Sequence, residues 1–296
     1  TYEQFSATAY VNSPYHWPII GWMNDLENMN VNDLAKWYKT WYAPNNATIV
    51  VAGDVNPDEV FALAQEHFGN IKPGVVPDVK PRTEIKQKGI KRINVKAPAQ
   101  VPYMIMGYQT PSVVDNEAEW EPYALEVLAA VLDGGISARL ESQLVRKQQV
   151  ASSIGTSYDA FTPGRELLIF SGTPAQGKTV DDLEKAIKEQ LTIIQNELVT
   201  DKELSRVKAQ VAAGKIYQKD SIFYQAMSIG SLETTNIGWQ QGEKFVDRIN
   251  EITKEQIQAV AKKYLIDDNL TVAVLDPQEI DMTKPRKASA GGRHGG

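Results

Sequence analysis

The sequence predicts an α+β protein made of two homologous domains, each an antiparallel sheet with helices packed on one face, and the first domain truncated. Three observations predict it: a helix-turn-strand unit that occurs twice, a proline- and glycine-rich segment between the copies, and a second half in which strand and helix patterns alternate. The predicted boundaries are 1–79 for the C-terminal part of the first domain, 80–87 for a linker, 88–282 for a complete second domain and 283–296 for a mobile tail.

The repeated unit starts at Met29 and again at Ile252. Each copy contains a polar N-cap, which is Asn30 or Thr253, followed by an amphipathic helix, a tyrosine, an Asn/Asp turn, a β-branched strand and an aspartate. The alternative is coincidence, because helix-turn-strand units are common in α/β proteins. The corresponding positions are Tyr42 and Tyr264, Thr48-Ile49 and Thr271-Val272, and Asp54 and Asp276.

The elements follow from the spacing of apolar residues. A continuous run of β-branched and apolar residues predicts a strand at "TIVVA" from Thr48. In the second half strands are predicted at "IKRINV", "VPYMIMGYQTP", "ASSIGTSYDAF" and "RELLIFSGTP", the last two forming a pair. Helical spacing predicts helices at "EAEWEPYALEVLAAVL", which ends at Asp133-Gly134-Gly135, and at "ISARLESQLVRK". Further helices are predicted at 180–197, 201–217, 221–237 and 243–249.

Composition excludes several classes of protein. The formal net charge of −6 argues against a nucleic-acid partner, because such proteins concentrate Lys and Arg on one face. The absence of cysteine excludes disulfides, thiolate zinc sites and cysteine nucleophiles. No apolar run reaches the roughly 18 to 20 residues of a membrane-spanning helix, so no membrane span is expected. The chain opens inside a helical pattern without a methionine, and we expect an N-terminal portion to be absent.

Two motifs carry a resemblance to a known family. The runs "YAPNNA" from Tyr42 and "LDGGISARL" from Leu132, in this order and separated by a linker, resemble the pitrilysin/insulinase family of zinc metallopeptidases, the inverzincins. The likeness extends to about Pro277 and is closest to the bacterial and mitochondrial processing-peptidase-like branch. It implies a fold of the metallopeptidase LuxS/processing-peptidase type, in which paired α+β domains close around a substrate chamber.

The zinc chemistry that the resemblance implies requires an inverted His-x-x-Glu-His motif, with two imidazoles on the metal and a glutamate as general base. The chain lacks this motif, because His16, His67 and His294 are too far apart to form it. In the second copy the corresponding helix carries Glu126-Val127-Leu128-Ala129-Ala130, which cannot hold zinc. We therefore expect no catalytic and no metal-binding residue in this chain, with zinc bound by an upstream part of the full-length protein.

The family also uses an Arg and a Tyr in the second domain, in a Leu-Arg-x-Lys-x-x-Leu-x-Tyr pattern, to contact the substrate backbone and the developing oxyanion. In "LVRKQQVAS" Leu144 and Lys147 fit, but Val145 occupies the Arg position and Ser152 the Tyr position. Arg146 stands one place further on, where a one-residue shift would make it the functional arginine; otherwise it is a solvated helix residue. The candidate substrate-cleft residues are therefore Val145, Arg146 and Ser152.

The resemblance predicts the C-terminal portion of a zinc metalloendopeptidase that acts on peptides or unfolded polypeptide, with the second domain closing the chamber and this chain inactive alone. The alternative is a non-catalytic structural subunit of a related heterodimeric peptidase. The expected partners are a peptide substrate and a related subunit, in a homo- or heterodimer. Because bacterial relatives are often exported, the expected compartment is the periplasm, with the cytoplasm as the alternative.

Overall fold

A mixed five-stranded sheet forms the centre of the structure, which is a computed structural model describing residues 1–280. The strand order is β1-β5-β2-β4-β3; β1 runs parallel to β5, and the other neighbours are antiparallel. This arrangement confirms the α+β class and the predicted pairing of the third and fourth strands. The predicted tail at 283–296 lies outside the described residues. The strands are β1 Lys91–Pro98, β2 Tyr103–Thr110, β3 Ala151–Ser157, β4 Glu166–Pro174 and β5 Leu270–Gln278.

Helices precede the sheet and fill the connections between its strands. Within the described residues no helix is both long and apolar enough to cross a membrane. Short 3₁₀ turns occupy Pro14–His16, Pro44–Asn46 and Asp267–Asn269, and a π-helix occupies Glu141–Lys147. The α-helices are α1 Tyr2–Ala9, α2 Met23–Asn28, α3 Val31–Trp41, α4 Pro57–Phe68, α5 Glu121–Asp133, α6 Val180–Asn196, α7 Asp201–Gln218, α8 Ile222–Thr234, α9 Trp239–Glu251 and α10 Lys254–Tyr264.

The main core lies between one face of the sheet and helices α5, α6, α7, α9 and α10. Alternate residues of the central strands point into it, as the two-residue period of a strand requires. On β2 these are Met104 and Met106, which are fully buried, and Val272 of β5 lies opposite Met106. Burial of such side chains stabilises the fold by about 1.5 to 3 kcal/mol each.

Helix α1 covers the opposite face of the sheet, so that both faces are partly covered. Phe5 of α1 packs on Ile105, Leu167 and Ala273, the residues that alternate with those of the main core. The Phe5 ring lies directly over Gly107, where an added Cβ would stand 2.6 Å from Cζ of the ring. Glycine is therefore required at this position for the close approach of helix and sheet.

The two copies of the repeat share their helix and their turn. Asn30 and Thr253 each form a capping box, and each begins a helix of 11 residues that is followed by a three-residue 3₁₀ turn. The last asparagine of each turn donates its side-chain N–H to the carbonyl oxygen of the helix's last residue: Asn46 to Trp41 at 2.9 Å, and Asn269 to Tyr264 at 3.0 Å. The structural counterpart of Tyr264 is therefore Trp41, and the predicted pairing of Tyr42 with Tyr264 is wrong by one residue.

The copies differ at the strand that should follow. Leu270–Gln278 forms β5 between two neighbours, but Thr48–Ala52 is no strand and makes no backbone hydrogen bond with any other described segment. The predicted strand at 48–52 is therefore wrong for this structure. A strand exists only where a neighbour accepts its hydrogen bonds, and the described chain places none beside this segment. As a result Ile49 is 61% exposed, whereas its counterpart Val272 is fully buried.

The segment predicted as a linker, 80–87, contains no helix or strand, but its second half is hydrogen-bonded to the rest of the structure. Glu84 and Gln87 are buried. The Gln87 side chain donates to the carbonyl oxygen of Leu270 at 2.6 Å, and its own oxygen accepts from the Thr271 hydroxyl at 3.3 Å. These bonds tie the end of the segment to the start of the central strand β5.

Candidate functional site

The candidate site lies where α5 ends and the chain enters β3 through the π-helix. The Asp133 carboxylate, at the last residue of α5, accepts the backbone N–H of Thr156 at 2.8 Å and thereby fixes the helix end against β3. The chain then turns at Gly135, whose φ of +104° favours glycine. This turn directs residues 136–147 along the edge of the core.

Helical spacing predicts a helix over residues 136–147, but the structure forms a π-helix over Glu141–Lys147. Gln148 donates its backbone N–H to Gln143, five residues earlier, at 2.8 Å, and Val150 donates to Leu144 at 2.9 Å. Gln149 between them has a φ of +51°, a left-handed conformation that costs a non-glycine residue about 1 to 2 kcal/mol. The wider turn keeps Leu144 buried while the chain reverses into β3, and π-turns of this kind are frequent at functional sites.

An ion pair holds the start of this segment. The Arg139 guanidinium donates two bonds to Glu203 of α7, from Nε at 2.8 Å and from Nη2 at 2.7 Å. Partial burial alone would raise the pKa of Glu203, but the hydrogen bonds and the charge of Arg139 hold it below its usual value. The bidentate geometry orients the loop before the π-helix more firmly than a single contact would.

The three candidate substrate-cleft residues have different environments. Val145 is partly buried and packs against the main core, so it serves packing in this structure. Arg146 is exposed on the π-helix. Ser152 is exposed on β3, and its hydroxyl donates to the carbonyl oxygen of Thr173 at 3.2 Å. Contact of these residues with substrate stays a prediction.

The histidines within the described residues are separate from one another. His16 Nδ1 lies 2.9 Å from the carbonyl oxygen of Tyr10, and His67 is exposed in the last turn of α4; His294 lies outside the described range. Across residues 1–280 no three His, Cys, Asp or Glu side chains are grouped so that they could hold a metal ion. The residues described here do not fit a zinc site.

Glu126 is the titratable residue that reasoning from the sequence missed as a possible functional group. It faces a pocket of about 260 Å³ between α5, α7 and the β3–β4 connection. Its Oε1 accepts the backbone N–H of Ala160 at 2.9 Å. Burial raises the pKa of Glu126 to about 7, although the Ala160 bond lowers it. One feature of the sequence could have identified Glu126: it is the single charged residue in the apolar run 123–132.

Lys215 of α7 lines the same pocket. Its ammonium lies 5.8 Å from the ring centre of Tyr224 and 5.7 Å from that of Phe245, which is the range of cation-π attraction. Burial lowers the pKa of Lys215, while the charges of Asp159 and Glu126 act in the other direction. No ion pair joins Lys215 to Glu126 in the part of the chain that the structure describes.

Comparisons with known proteins identify the family. A family model described as the peptidase M16 inactive domain matches residues 28–211, which is more than half of the chain. The zinc protease PqqE of Helicobacter pylori is 30% identical over 224 residues, covering 74% of this chain and 49% of that protein. An uncharacterized zinc protease of Mycobacterium leprae, ML0855, is 28% identical over 294 residues, covering 96% of this chain and 63% of that protein.

A solved structure shows the same fold. The crystal structure of a protease from Helicobacter pylori superposes with a TM-score of 0.86 at 27% identity, covering 93% of this chain and 66% of that one. The chain thus spans about half to two thirds of the length of the relatives that it matches. The match over residues 28–211, which includes α3, α4, strands β1 to β4 and the start of α7, establishes that the chain belongs to the peptidase M16 family and contains its inactive domain.

Proposed function

We propose that this chain is the non-catalytic C-terminal portion of a zinc-dependent metalloendopeptidase that acts on peptides or unfolded polypeptide, where it closes the substrate chamber. The observation that supports this most is the match to the inactive domain together with the lack of any metal-holding group of side chains in residues 1–280. The named relatives are zinc proteases whose length exceeds that of this chain. Zinc and the general base belong, in this proposal, to the part of the full-length protein that precedes this chain.

The exposed apolar surface of α3 and α4 supports a companion part. Neither helix buries a residue, and Trp37, Tyr38 and Phe61 are each more than half exposed. Exposed apolar surface of this extent is characteristic of a surface that packs against another part of a protein. The proposed occupant is the upstream portion of the same protein or a related subunit, in the periplasm or alternatively in the cytoplasm.

The test uses the full-length protein from its natural gene. Zinc content and cleavage of an unfolded, internally quenched polypeptide are measured with and without a chelator, and the 296-residue chain alone is the control. We expect one zinc per full-length protein, chelator-sensitive cleavage, and neither zinc nor cleavage from the chain alone. A zinc ion held tightly by the chain alone, or cleavage that survives complete zinc removal, would contradict the proposal.

The second candidate is a non-catalytic structural subunit of a heterodimeric peptidase. The observation that favours it is that Val145 and Ser152 occupy the positions of the Arg and Tyr that contact substrate in the family pattern. In that case the full-length protein holds no zinc, and activity appears only when a related zinc-bearing subunit is added. A separate measurement tests whether Arg146 contacts the substrate. KM is compared between an Arg146→Ala variant of the active enzyme and the control Arg206→Ala on α7, and a KM raised in Arg146→Ala alone supports a contact between Arg146 and the substrate.

A further inference from the structure

A cleft of about 600 Å³ lies between the N-terminal segment and the unit built on the sheet. Four stretches distant in sequence form its walls: the turn that contains Trp17, residues 79–84, the connection after β2 at Asp115, and the β3–β4 connection at Arg165. The site described above, at α5, the π-helix and β3, contributes none of these residues. The cleft is therefore a separate feature of the molecule.

Glu84 holds two of these walls together. Its buried carboxylate accepts the backbone N–H groups of Val11, Asn12 and Ser13 at 2.9, 3.0 and 2.8 Å. The Asn12 side chain adds a bond to the carbonyl oxygen of Thr83 at 2.9 Å. Hydrogen bonds to a charged group are stronger than those between neutral groups, so the two walls are fixed before any ligand arrives.

The cleft carries an excess of positive charge. Lys80, Arg82 and Arg165 line it, and among residues 1–280 no carboxylate lies within ion-pair distance of Lys80 or Arg82. Arg165 pairs with Asp115 through Nε alone, at 2.9 Å, and its other nitrogens make no bond to a described side chain. Glu84 and Asp115 also line the cleft, so its formal excess is one positive charge, and within the described residues the Glu84 carboxylate forms no ion pair with these cations. The excess contrasts with the net charge of −6 for the whole sequence.

Trp17 adds an apolar surface beside the cations. The Arg82 guanidinium lies 5.3 Å from the centre of the Trp17 ring, and the stacking restricts its orientation while leaving its in-plane N–H groups available. Trp17 is 44% exposed, and Val79 and Val114 are also exposed at the rim. An oriented guanidinium matches the two oxygens of a carboxylate, and the neighbouring apolar groups match the side chains on either side of it.

From this geometry we infer that the cleft binds an acidic peptide segment, with a glutamate or aspartate carboxylate between Arg82 and Arg165 and the flanking residues on Trp17. The inference rests on the proposed function, because it states which class of peptide the peptidase would bind at a site distant from its zinc. It concerns binding by this chain and requires neither metal nor cleavage. Its failure would leave the zinc-dependent activity of the full-length protein untouched.

The test is a binding titration with the 296-residue chain at low salt. The probes are two dansyl-labelled unfolded decapeptides of equal length, one with three glutamates and one with glutamines at the same positions, followed by fluorescence anisotropy. We expect the glutamate peptide to bind at least tenfold more tightly than the glutamine peptide, and this preference to shrink as salt is added because the attraction is electrostatic. Equal binding of the two peptides would overturn the inference.

Variants locate the binding within the molecule. Arg82→Ala and Arg165→Ala should each weaken binding of the glutamate peptide about tenfold, since each removes a charged donor, and Arg82→Lys should retain part of the affinity. The matched control is Arg206→Ala on α7, a partly exposed arginine whose side chain bonds Gln210, and this variant should bind the peptide as the parent chain does. Thermal unfolding of every variant confirms that it is folded. Unchanged affinity in both folded cleft variants would contradict the inference.

Discussion

At the residue scale, Glu126 places a carboxyl group within the apolar stretch of helix α5. The folded pKa of about 7 lies above the ordinary carboxyl value of 4.5 because burial disfavours the charged form. Between those values the folded chain binds more protons than the unfolded chain does. The contribution of Glu126 to stability is therefore lost as pH rises from about 4.5 to about 7, and the loss is complete above that range.

We predict that Glu126→Gln stabilises the protein at pH 8 by about 2 to 3 kcal/mol and changes it little at pH 5. Glutamine keeps a carbonyl oxygen for the Ala160 N–H and removes the buried charge. Urea unfolding at the two pH values measures the difference. Glu189→Gln on the exposed surface of α6 is the control, and equal effects of the two changes at pH 8 would rule out the proposed cause.

A second residue-scale prediction concerns the left-handed Gln149 after the π-helix. Replacement by glycine removes the steric cost of φ +51° and should stabilise the protein by about 0.5 to 1 kcal/mol, part of the gain being offset by the greater freedom of glycine in the unfolded chain. Asn236, with φ +58°, is the matched control, because asparagine tolerates this conformation and should gain less from the same change. Thermal melting of both variants measures the effect. A lower melting temperature for Gln149→Gly would contradict the prediction that the backbone of Gln149 is strained.

At the scale of elements, the two copies of the repeat show that the contribution of a helix to the packed core depends on its surroundings. α3 and α10 share their length, capping box and following turn. α10 buries Ile257, Val260, Ala261 and Tyr264, whereas α3 buries no residue. The same local sequence pattern thus contributes to a cooperative core in one place and lies on the surface in the other.

This contrast predicts different costs for the same deletion of a cap. Thr253→Ala should lower the free energy of global unfolding by about 1 kcal/mol, because α10 unfolds with the core. Asn30→Ala should change it by less than about 0.5 kcal/mol and should instead speed amide hydrogen exchange in α3, since α3 can open on its own. Urea unfolding and hydrogen exchange measure the two effects. Similar losses of global stability in both variants would show that α3 belongs to the cooperative unit.

At the scale of the whole molecule, residues 11–80 expose a large apolar surface, while the unit formed by β1–β5 and the helices on it is well packed. On α3 and α4 the exposed residues include Trp37, Tyr38, Phe61 and Leu63. We predict that the chain binds the dye ANS in native buffer and that the double variant Trp37→Ser/Phe61→Ser lowers the dye fluorescence by at least half without shifting the unfolding midpoint. Tyr217→Ser, at an exposed aromatic residue of α7, is the control. An equal decrease of dye fluorescence in this variant would show that the dye does not bind specifically to the apolar surface of α3 and α4.

The sequence determined those features that local patterns encode. Alternation and helical spacing located the elements from β1 to β5, the caps at Asn30 and Thr253 began their helices as expected, and the motifs at Tyr42 and Leu132 indicated the family. These predictions are possible because the spacing of apolar residues and the presence of a capping side chain determine structure within a few residues along the chain.

Only the tertiary structure decided the features that depend on contacts between distant segments. The segment Thr48–Ala52 has the composition of a strand but no neighbour, so it forms none. The chain from Glu141 to Lys147 has the spacing of an α-helix, but its reversal into β3 makes it a π-helix. The raised pKa of Glu126 and the cleft around Arg82 arise from residues that are distant in sequence and that folding brings together. Burial and the distances between charges depend on these three-dimensional contacts, so they produce no periodic pattern in the sequence.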